Sequence, residues 1–125
     1  MNIRRINRIS EEVKKVVSDL LFNEINDPRI DRLMTTVTRV EVTRDLSFAK
    51  IYVSVMGDEN QKEATLLGLN SAKGFIRREI GARVDLRHAP EPRFFLDESI
   101  EQAIEMSKLI DDVNKTTNTK DKIDE

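Results

Sequence analysis

The stretch NSAKGFIRREI, residues 70–80, decides how the rest of the chain is interpreted, because it places a glycine inside a helical pattern. Its alanine, lysine, arginine and glutamate residues favour a helix, whereas Gly74 costs a helix about 1 kcal/mol relative to alanine. Gly68 interrupts the same helical segment closer to its start. Such glycines serve either close packing or a kink that brings the backbone near a ligand.

The helical phase of this segment predicts a junction at Gly74. One apolar stripe of a regular helix over residues 61–80 would contain Leu69, Ala72, Ile76 and Ile80. Phe75 lies off that stripe, and a bend at Gly74 would return it to the apolar side. We therefore predict two helices that meet at Gly74, the second of them ending at Gly81.

Towards the N-terminus, apolar residues recur every three or four positions between residues 5 and 24, which predicts a long amphipathic helix. Asn26-Asp27-Pro28 ends it with a structured turn. Residues 36–43 and 48–55 are rich in Thr and Val and predict an antiparallel hairpin, with a four-residue loop at 44–47. Phe48 and Tyr52 share its less apolar face, where they either pack or stack on bases.

Towards the C-terminus, residues 93–97 predict a third strand, which two preceding prolines place at an edge or a strand start. A last helix is predicted from Ser99 to about Val113, with Asp97 and Ser99 as capping candidates. Residues 114–125 offer almost nothing to bury and are expected to be disordered. The predicted fold is one α+β domain, residues 1–113, with a three-stranded sheet and a C-terminal helix, followed by a polar tail.

Composition narrows the class of protein. The chain of 125 residues, 38% of them apolar, fits a single domain with a modest core. It contains no cysteine, which excludes disulfides, thiolate zinc sites and cysteine nucleophiles. Polar residues follow the basic N-terminus without an apolar run, so we expect neither a signal peptide nor a membrane span, and a soluble cytoplasmic protein.

Chemistry-bearing motifs are missing from the sequence. His88 is its single histidine, and we expect it to be structural or exposed. Carboxylates are interspersed with Lys and Arg without metal-ligand spacing, and neither a P-loop nor a dinucleotide fingerprint is present. We therefore expect no catalytic site, no cofactor and no metal, and interpret the chain as a binding protein.

Cationic residues are the strongest sign of a ligand. The net charge is −2, but residues 1–95 carry 17 Lys and Arg against 14 Asp and Glu, whereas residues 96–125 carry 4 against 9. Such spaced cations suit backbone phosphates, which require charge and little base geometry. The predicted RNA-binding residues are Arg4, Arg5, Arg8, Lys73, Gly74, Arg77, Arg78, Arg83 and Arg87, with Arg93 beyond them.

The order helix, strand, strand, helix, kinked helix, strand is that of a type II KH domain, and several stretches resemble the ribosome-binding factor A family. The matching stretches are Glu24–Arg29, Thr35–Val37, Arg44–Val53, Gly74–Arg77, Pro90-Glu91 and Phe94-Phe95, within residues 4–110. Pro92 departs from the family, which more often has an aliphatic residue there, and could shorten the third strand.

The resemblance implies a bacterial, non-enzymatic assembly factor that binds the immature small (30S) ribosomal subunit through 16S rRNA. It also implies a role in late maturation and 5′-end processing of that RNA, and in growth in the cold. KH domains clamp RNA with a Gly-x-x-Gly loop; the family has Ala-x-Gly there, which is Ala72-Lys73-Gly74 in this chain. The expected protein is a monomer that contacts other assembly factors transiently and no membrane.

One alternative from another class stays open. The chain could be a protein–protein adaptor that docks a partner through an apolar sheet edge or through the C-terminal helix. Salt distinguishes the two functions, because binding to RNA weakens steeply as salt rises and an apolar interface responds little.

Overall fold

The computed structural model describes residues 2–124, with side chains up to residue 113 except residue 112. The helices are α1 (Ile3–Asp19), α2 (Glu59–Ser71), α3 (Lys73–Val84) and α4 (Ser99–Asp124). The strands are β1 (Thr35–Val42), β2 (Phe48–Val55) and β3 (Glu91–Leu96). The predicted α+β class and order of elements are therefore confirmed.

The sheet is mixed and has the strand order β1-β2-β3, with β1 antiparallel and β3 parallel to β2. Pro92 lies inside β3 and pairs with Ala49. Glu91 N donates to Ser47 O at 2.9 Å, and alternate residues of a strand donate to the same side, so the nitrogen of Pro92 faces the free edge. The edge position is confirmed, and the expectation that Pro92 shortens the strand is wrong.

The core lies between one face of the sheet and the helices α1, α2 and α3. Its completely buried apolar side chains are Val13, Val17, Leu20, Ala49, Ile51, Val53, Leu69, Ile76 and Ile80. Phe75 is half-buried and packs against this cluster. The helical-phase argument is thus confirmed, because a break before Phe75 returns it to the apolar side.

The first helix ends in a turn that is stabilised by hydrogen bonds between its own residues. After Asp19 the chain makes a π-helical turn, Leu20–Glu24, before it leaves the helix. The Asp27 carboxylate accepts hydrogen bonds from the backbone N of Arg29 at 2.9 Å and from its guanidinium at 3.0 and 2.7 Å. These bonds lower the pKa of Asp27 to about 2. The predicted structured exit is confirmed.

The hairpin loop has the predicted length. Thr43 N donates to Phe48 O at 2.9 Å, which leaves four residues outside the ladder, and Leu46 N donates to Thr43 O at 2.9 Å. Leu46 has φ 60, a left-handed conformation that non-glycine residues seldom adopt. Asp45 accepts from Ser47 N at 3.1 Å and supports the turn.

The helix α3 ends later than predicted. The helix α3 continues through Gly81 to Val84, and Asp85 in the left-handed conformation, φ 55 and ψ 53, ends it. Aspartate tolerates this conformation better than most residues, so glycine was not required there. A Cβ on Gly81 would stand 3.1 Å from Ala89 Cβ, which makes it a close-packing glycine inside the helix.

The last helix is longer than predicted. The backbone of α4 is helical to Asp124, so the expected end near Val113 is wrong, and the expected disorder of residues 114–125 stays a prediction. The sequence from residue 99 onward has neither glycine nor proline to impose an end. The side chains of residues 114–125 lie outside the described residues, and the division into a domain of residues 1–113 and a tail stays a prediction.

A buried lysine attaches α4 to the domain. Lys62 Nζ lies 2.8 Å from a Glu101 carboxylate oxygen, 3.6 Å from Glu98 and 3.7 Å from Glu59. The hydrogen bond that Lys62 donates to Glu101 raises the pKa of Lys62. This contact holds the first turn of α4 against α2.

No helix in the described part of the chain has the length and apolar character to cross a membrane.

Candidate nucleic-acid interface

The junction between α2 and α3 lies at Ala72, two residues before Gly74. Ala72 has φ −88 and ψ 3, outside the regular helical region. Its N–H donates to the carbonyls of Gly68 and Leu69, both at 3.1 Å, while its own carbonyl accepts from Ile76 N at 2.9 Å. One residue thus ends α2 and begins α3, which confirms that two helices meet in this segment but places their junction two residues before the predicted Gly74.

Gly74 and Gly68 have different surroundings. A Cβ on Gly68 would lie 2.8 Å from Ile30 Cγ1, so this glycine allows α2 to pack on the segment before β1. A Cβ on Gly74 would meet no heavy atom within 4 Å. Gly74 lies in the first turn of α3, where backbone N–H groups have no partner inside the helix. Packing therefore does not account for Gly74, and its backbone is accessible.

Three cations stand on the first turns of α3. Lys73 is half-buried, and Arg77, one turn later, is exposed, as is its neighbour Arg78. Arg77 Nε donates to Ala89 O at 3.1 Å, which connects α3 to the segment before β3 and leaves the two terminal nitrogens of the guanidinium. Among the described residues, no carboxylate pairs with these three cations. Together with the open backbone at Gly74 they form a cationic helix start.

Arg83 is held by three carboxylates at the opposite end of α3. Its guanidinium contacts Asp19 at 2.7 Å, Glu79 at 3.1 Å, and Glu24. The hydrogen bonds to Asp19 and Glu24 raise the pKa of Arg83, and the bond from Arg83 lowers the pKa of Asp19. Arg83 therefore joins α3 to the end of α1, and its charge is compensated within the protein. Arg83 therefore lies apart from Lys73, Arg77 and Arg78, with which it was predicted to bind RNA.

The predicted cations of α1 form a separate group. Arg4, Arg5 and Arg8 are exposed on the first turns of that helix, whose cap is Asn2, 2.9 Å from Arg4 N. Arg83 lies at the other end of α1, about 22 Å away along the helix axis at 1.5 Å per residue. No hydrogen bond or ion pair between described residues joins this group to the start of α3. Arg87, also exposed, lies in the connection between α3 and β3.

The helix-free face of the sheet carries a second aromatic and cationic arrangement. The rings of Tyr52 and Phe95 stack with centroids 5.5 Å apart, and the Arg39 guanidinium lies 4.2 Å above Tyr52. Arg93 lies 3.9 Å above Phe48. The rings of Phe48 and Tyr52 thus pack against guanidinium groups of neighbouring strands. Sequence analysis missed these pairs, because they depend on the strand register.

The chemistry of the described residues at this interface is that of cations and open backbone groups. Among the described residues, no group of three or more His, Asp or Glu side chains could hold a metal ion. His88 is exposed in the connection before β3. The accessible features at the start of α3 are a backbone and positive charge, which are the elements of an anion-binding surface on a small α+β domain.

Comparisons with known proteins identify the family. The family model described as ribosome-binding factor A matches residues 5–110. The chain is 50% identical over 115 residues to ribosome-binding factor A of Finegoldia magna, covering 92% of this chain and 95% of the relative. It is 54% identical over 112 residues to the Acetivibrio thermocellus protein of that name, covering 90% of each. The chain belongs to the ribosome-binding factor A family.

Solved structures agree with this fold. The solution structure of a Thermotoga maritima putative ribosome binding factor A has a TM-score of 0.67 and 33% identity, covering 76% of this chain and 89% of that one. The crystal structure of ribosome-binding factor A from Thermus thermophilus has a TM-score of 0.64 at 23% identity, covering 73% and 93%. A third neighbour, at 24% identity and TM-score 0.58, is the Thermus thermophilus homology model fitted into a map of a 30S complex, covering 71% and 91%.

Proposed function

We propose that this chain is a non-catalytic assembly factor that binds the immature small (30S) ribosomal subunit through 16S rRNA. It aids late maturation of the subunit and processing of the 5′ end of that RNA. Membership of the ribosome-binding factor A family supports the proposal. The single observation that carries the RNA contact is the cationic helix start, where Gly74 is open and the neighbouring cations have no carboxylate partners among the described residues.

The start of α3 would bind phosphate groups in two ways. Backbone N–H groups of the first turn point out of the helix and favour an anion. Lys73, Arg77 and Arg78 add charge within one turn of Gly74, and the Arg77 bond to Ala89 O orients that guanidinium. In this proposal Ala72-Lys73-Gly74 takes the place of the Gly-x-x-Gly loop of a type II KH domain. Contacts of this kind recognise the path of the RNA backbone rather than its sequence.

The remaining predicted cations take different parts. Arg4, Arg5 and Arg8 form a second phosphate-binding patch at the start of α1, and Arg87 extends the first patch. Arg83 holds α1 and α3 together, since three carboxylates already surround it. In the cell this proposal describes a cytoplasmic monomer that meets other assembly factors transiently and whose absence impairs growth in the cold.

The test measures binding of the purified protein to free small ribosomal subunits over a range of KCl concentrations. In the variant Arg77→Ala with Arg78→Ala, we expect weaker binding and a salt slope smaller by about two, one for each lost phosphate contact. The matched control, Lys15→Ala with Lys108→Ala, removes two exposed cations elsewhere and should keep the slope. An unchanged slope in the first variant would contradict the proposed interface.

A second candidate function rests on α4. This helix exposes apolar side chains that a solvated helix does not require, namely Ile100, Ile104, Met106, Leu109 and Ile110. Such a face suits an adaptor that docks a protein partner. Subunit binding that stays constant between low and moderate salt, and that Leu109→Ser weakens, would favour this function over RNA binding.

A further inference from the structure

The strand β1 forms a free edge of the sheet, and its hydrogen bonds to β2 determine which of its backbone groups face outward. Just before β1, Met34 O accepts from Met56 N at 2.9 Å, and just after it Thr43 N donates to Phe48 O at 2.9 Å. Contacts of this kind recur at every second residue of an antiparallel pair. With the bulge between residues 37 and 39, the outward-facing residues are Thr35, Val37, Val40 and Val42.

Hydrogen bonds within the protein occupy only one end of this edge. Val42 N donates to Ser10 Oγ of α1 at 3.1 Å, which confirms that its N–H faces outward. Among the described residues, no comparable contact reaches the backbone of Thr35, Val37 or Val40. An uncovered edge of this kind is a template for pairing with another strand. We call the segment Thr35–Val40 the open edge.

A groove lies beside the open edge. It has a volume of about 340 Å³ and runs between the end of α1 and the start of β1. Thr35 lines it and is 8% exposed, but the hydroxyl oxygen of Thr35 is buried beneath its surface and has no hydrogen-bond partner. The groove is therefore recognised by its rim and by the strand backbone.

The rim of the groove is apolar with a single charge. Phe22 and Leu33 are exposed there, Leu33 by 82%, which is unusual for leucine. Arg32 also lines the groove, and its guanidinium donates to Phe22 O at 3.0 Å with one of its nitrogens. No acidic residue lines the groove within the described part of the chain. The remaining guanidinium donors thus complement a carboxylate.

We propose that the open edge binds an extended segment of another protein, which adds to the sheet as a fourth strand beside β1. Its backbone pairs with Thr35, Val37 and Val40. An apolar side chain of the segment lies between Phe22 and Leu33, and a carboxylate meets Arg32. This mode of binding takes affinity from the backbone and specificity from the groove.

The chemistry of the edge favours a polypeptide over RNA. Outward-facing residues of a strand offer N–H donors and C=O acceptors in alternation, and an extended polypeptide offers both at the same spacing. The phosphate groups of RNA accept hydrogen bonds but do not donate them, so the 2′-hydroxyl groups are the only donors that its backbone offers to the carbonyls. The apolar rim also lacks the several cations that phosphate binding requires. The open edge therefore differs in chemistry from the cationic helix start.

The first test removes the exposed apolar rim of the groove. Leu33 is 82% exposed, so Leu33→Ser should leave the melting temperature of the isolated protein nearly unchanged. Its affinity for purified small ribosomal subunits should fall about ten-fold, because an apolar contact with the bound segment is lost. The matched control is Leu67→Ser, at an exposed leucine on α2, which should bind as the unsubstituted protein does. Equal affinity of the two variants would overturn the proposal.

The second test identifies the occupant, and it rests on the proposed function because the probe is again the small ribosomal subunit. A photo-crosslinking benzoylphenylalanine replaces Leu33, and cosedimentation is measured on the same samples. A crosslink to a mapped segment of a subunit protein supports the proposal. Crosslinks only to rRNA or to a second copy of this chain, or cosedimentation without any crosslink, overturn it.

The two proposals fail in distinguishable ways. Arg77→Ala with Arg78→Ala removes the proposed phosphate contacts and leaves the open edge unchanged, so at saturating concentration this variant should still crosslink through position 33. Cosedimentation with the expected salt slope but without a protein crosslink overturns the open edge alone. Absence of cosedimentation in the unsubstituted protein overturns the proposed function and, with it, a partner on this particle.

Discussion

The two ends of α3 carry the same type of side chain in opposite electrostatic environments. Arg83 contacts three carboxylates, from α1, from the turn after it and from α3 itself. Arg78 is exposed, and no carboxylate within the described residues pairs with it. The number of cations in a segment therefore does not reveal which of them can bind a ligand. The positions of acids from distant segments decide it.

The two glycines of this region repeat the contrast. Gly68 is buried against Ile30, where a side chain does not fit, and Gly74 faces open space in the first turn of α3. Both interrupt a helical sequence, and their sequence signals are alike. One glycine serves packing between elements, while the other leaves a backbone accessible.

The largest expected effect on stability is that of removing Arg83. Arg83→Ala leaves the carboxylates of Asp19, Glu24 and Glu79 close together without a counter-charge, so the melting temperature should fall by several degrees. Arg78→Ala, at the open end of the same helix, should change it little. Arg83→Lys keeps the charge but not the forked geometry of the guanidinium, so its melting temperature should lie between those of Arg83→Ala and Arg78→Ala. Similar melting temperatures for Arg83→Ala and Arg78→Ala would break the contrast between the two ends.

The next largest expected effect is the change in the free energy of unfolding when Gly68 or Gly74 is replaced by alanine. Gly68→Ala places a Cβ 2.8 Å from Ile30 Cγ1, and the resulting overpacking should reduce the free energy of unfolding by about 1–3 kcal/mol. Gly74→Ala adds a methyl group in open space within a helix and should raise it by up to about 1 kcal/mol. Denaturant unfolding measures both. Destabilisation by Gly74→Ala would show that the junction requires glycine for its own structure.

The smallest expected effect is a difference in how strongly acid reduces the stability of Arg83→Ala and of Arg78→Ala. The hydrogen bond from Arg83 lowers the folded-state pKa of Asp19 below its ordinary value of 3.8. The stability from this pair is therefore complete above the unfolded pKa, and it is lost as pH falls below about 3.8. Urea unfolding measures the free energy of unfolding between about pH 5 and about pH 2.5, the range in which carboxylates titrate. This free energy should depend less on pH in Arg83→Ala than in Arg78→Ala. Parallel curves would show that Asp19 titrates independently of Arg83.

Local patterns predicted much of the fold. Helical periodicity located α1, alternation located the hairpin, and the phase slip at Phe75 located the junction at residues 72–74, because each depends on neighbouring residues. Asp58, a typical helix-capping residue, caps α2 by accepting from Gln61 N at 2.8 Å. The end of α3 was missed because Asp85 adopts a conformation that local preference assigns to glycine. The length of α4 was missed because the polar residues after Val113 carry no apolar periodicity that would indicate a longer helix.

The candidate site was predicted only in part. The sequence grouped Arg83 with Lys73, Arg77 and Arg78, but its partner Asp19 stands 64 residues away and is brought to it by helix packing. The open edge at Thr35 depends on which residues of β1 face β2, and the bulge between residues 37 and 39 alters that alternation. Both features arise from tertiary contacts, which spacing along the chain does not contain.

The most direct test of the contrast adds Arg83→Ala to the salt titration of subunit binding, at a temperature where all variants are folded. The start of α3 is expected to contact phosphates, so removing Arg77 and Arg78 should lower the salt slope by about two. Arg83 is engaged within the protein, so its removal should leave the slope unchanged. A loss of slope in Arg83→Ala together with an unchanged slope in the double variant would contradict this account.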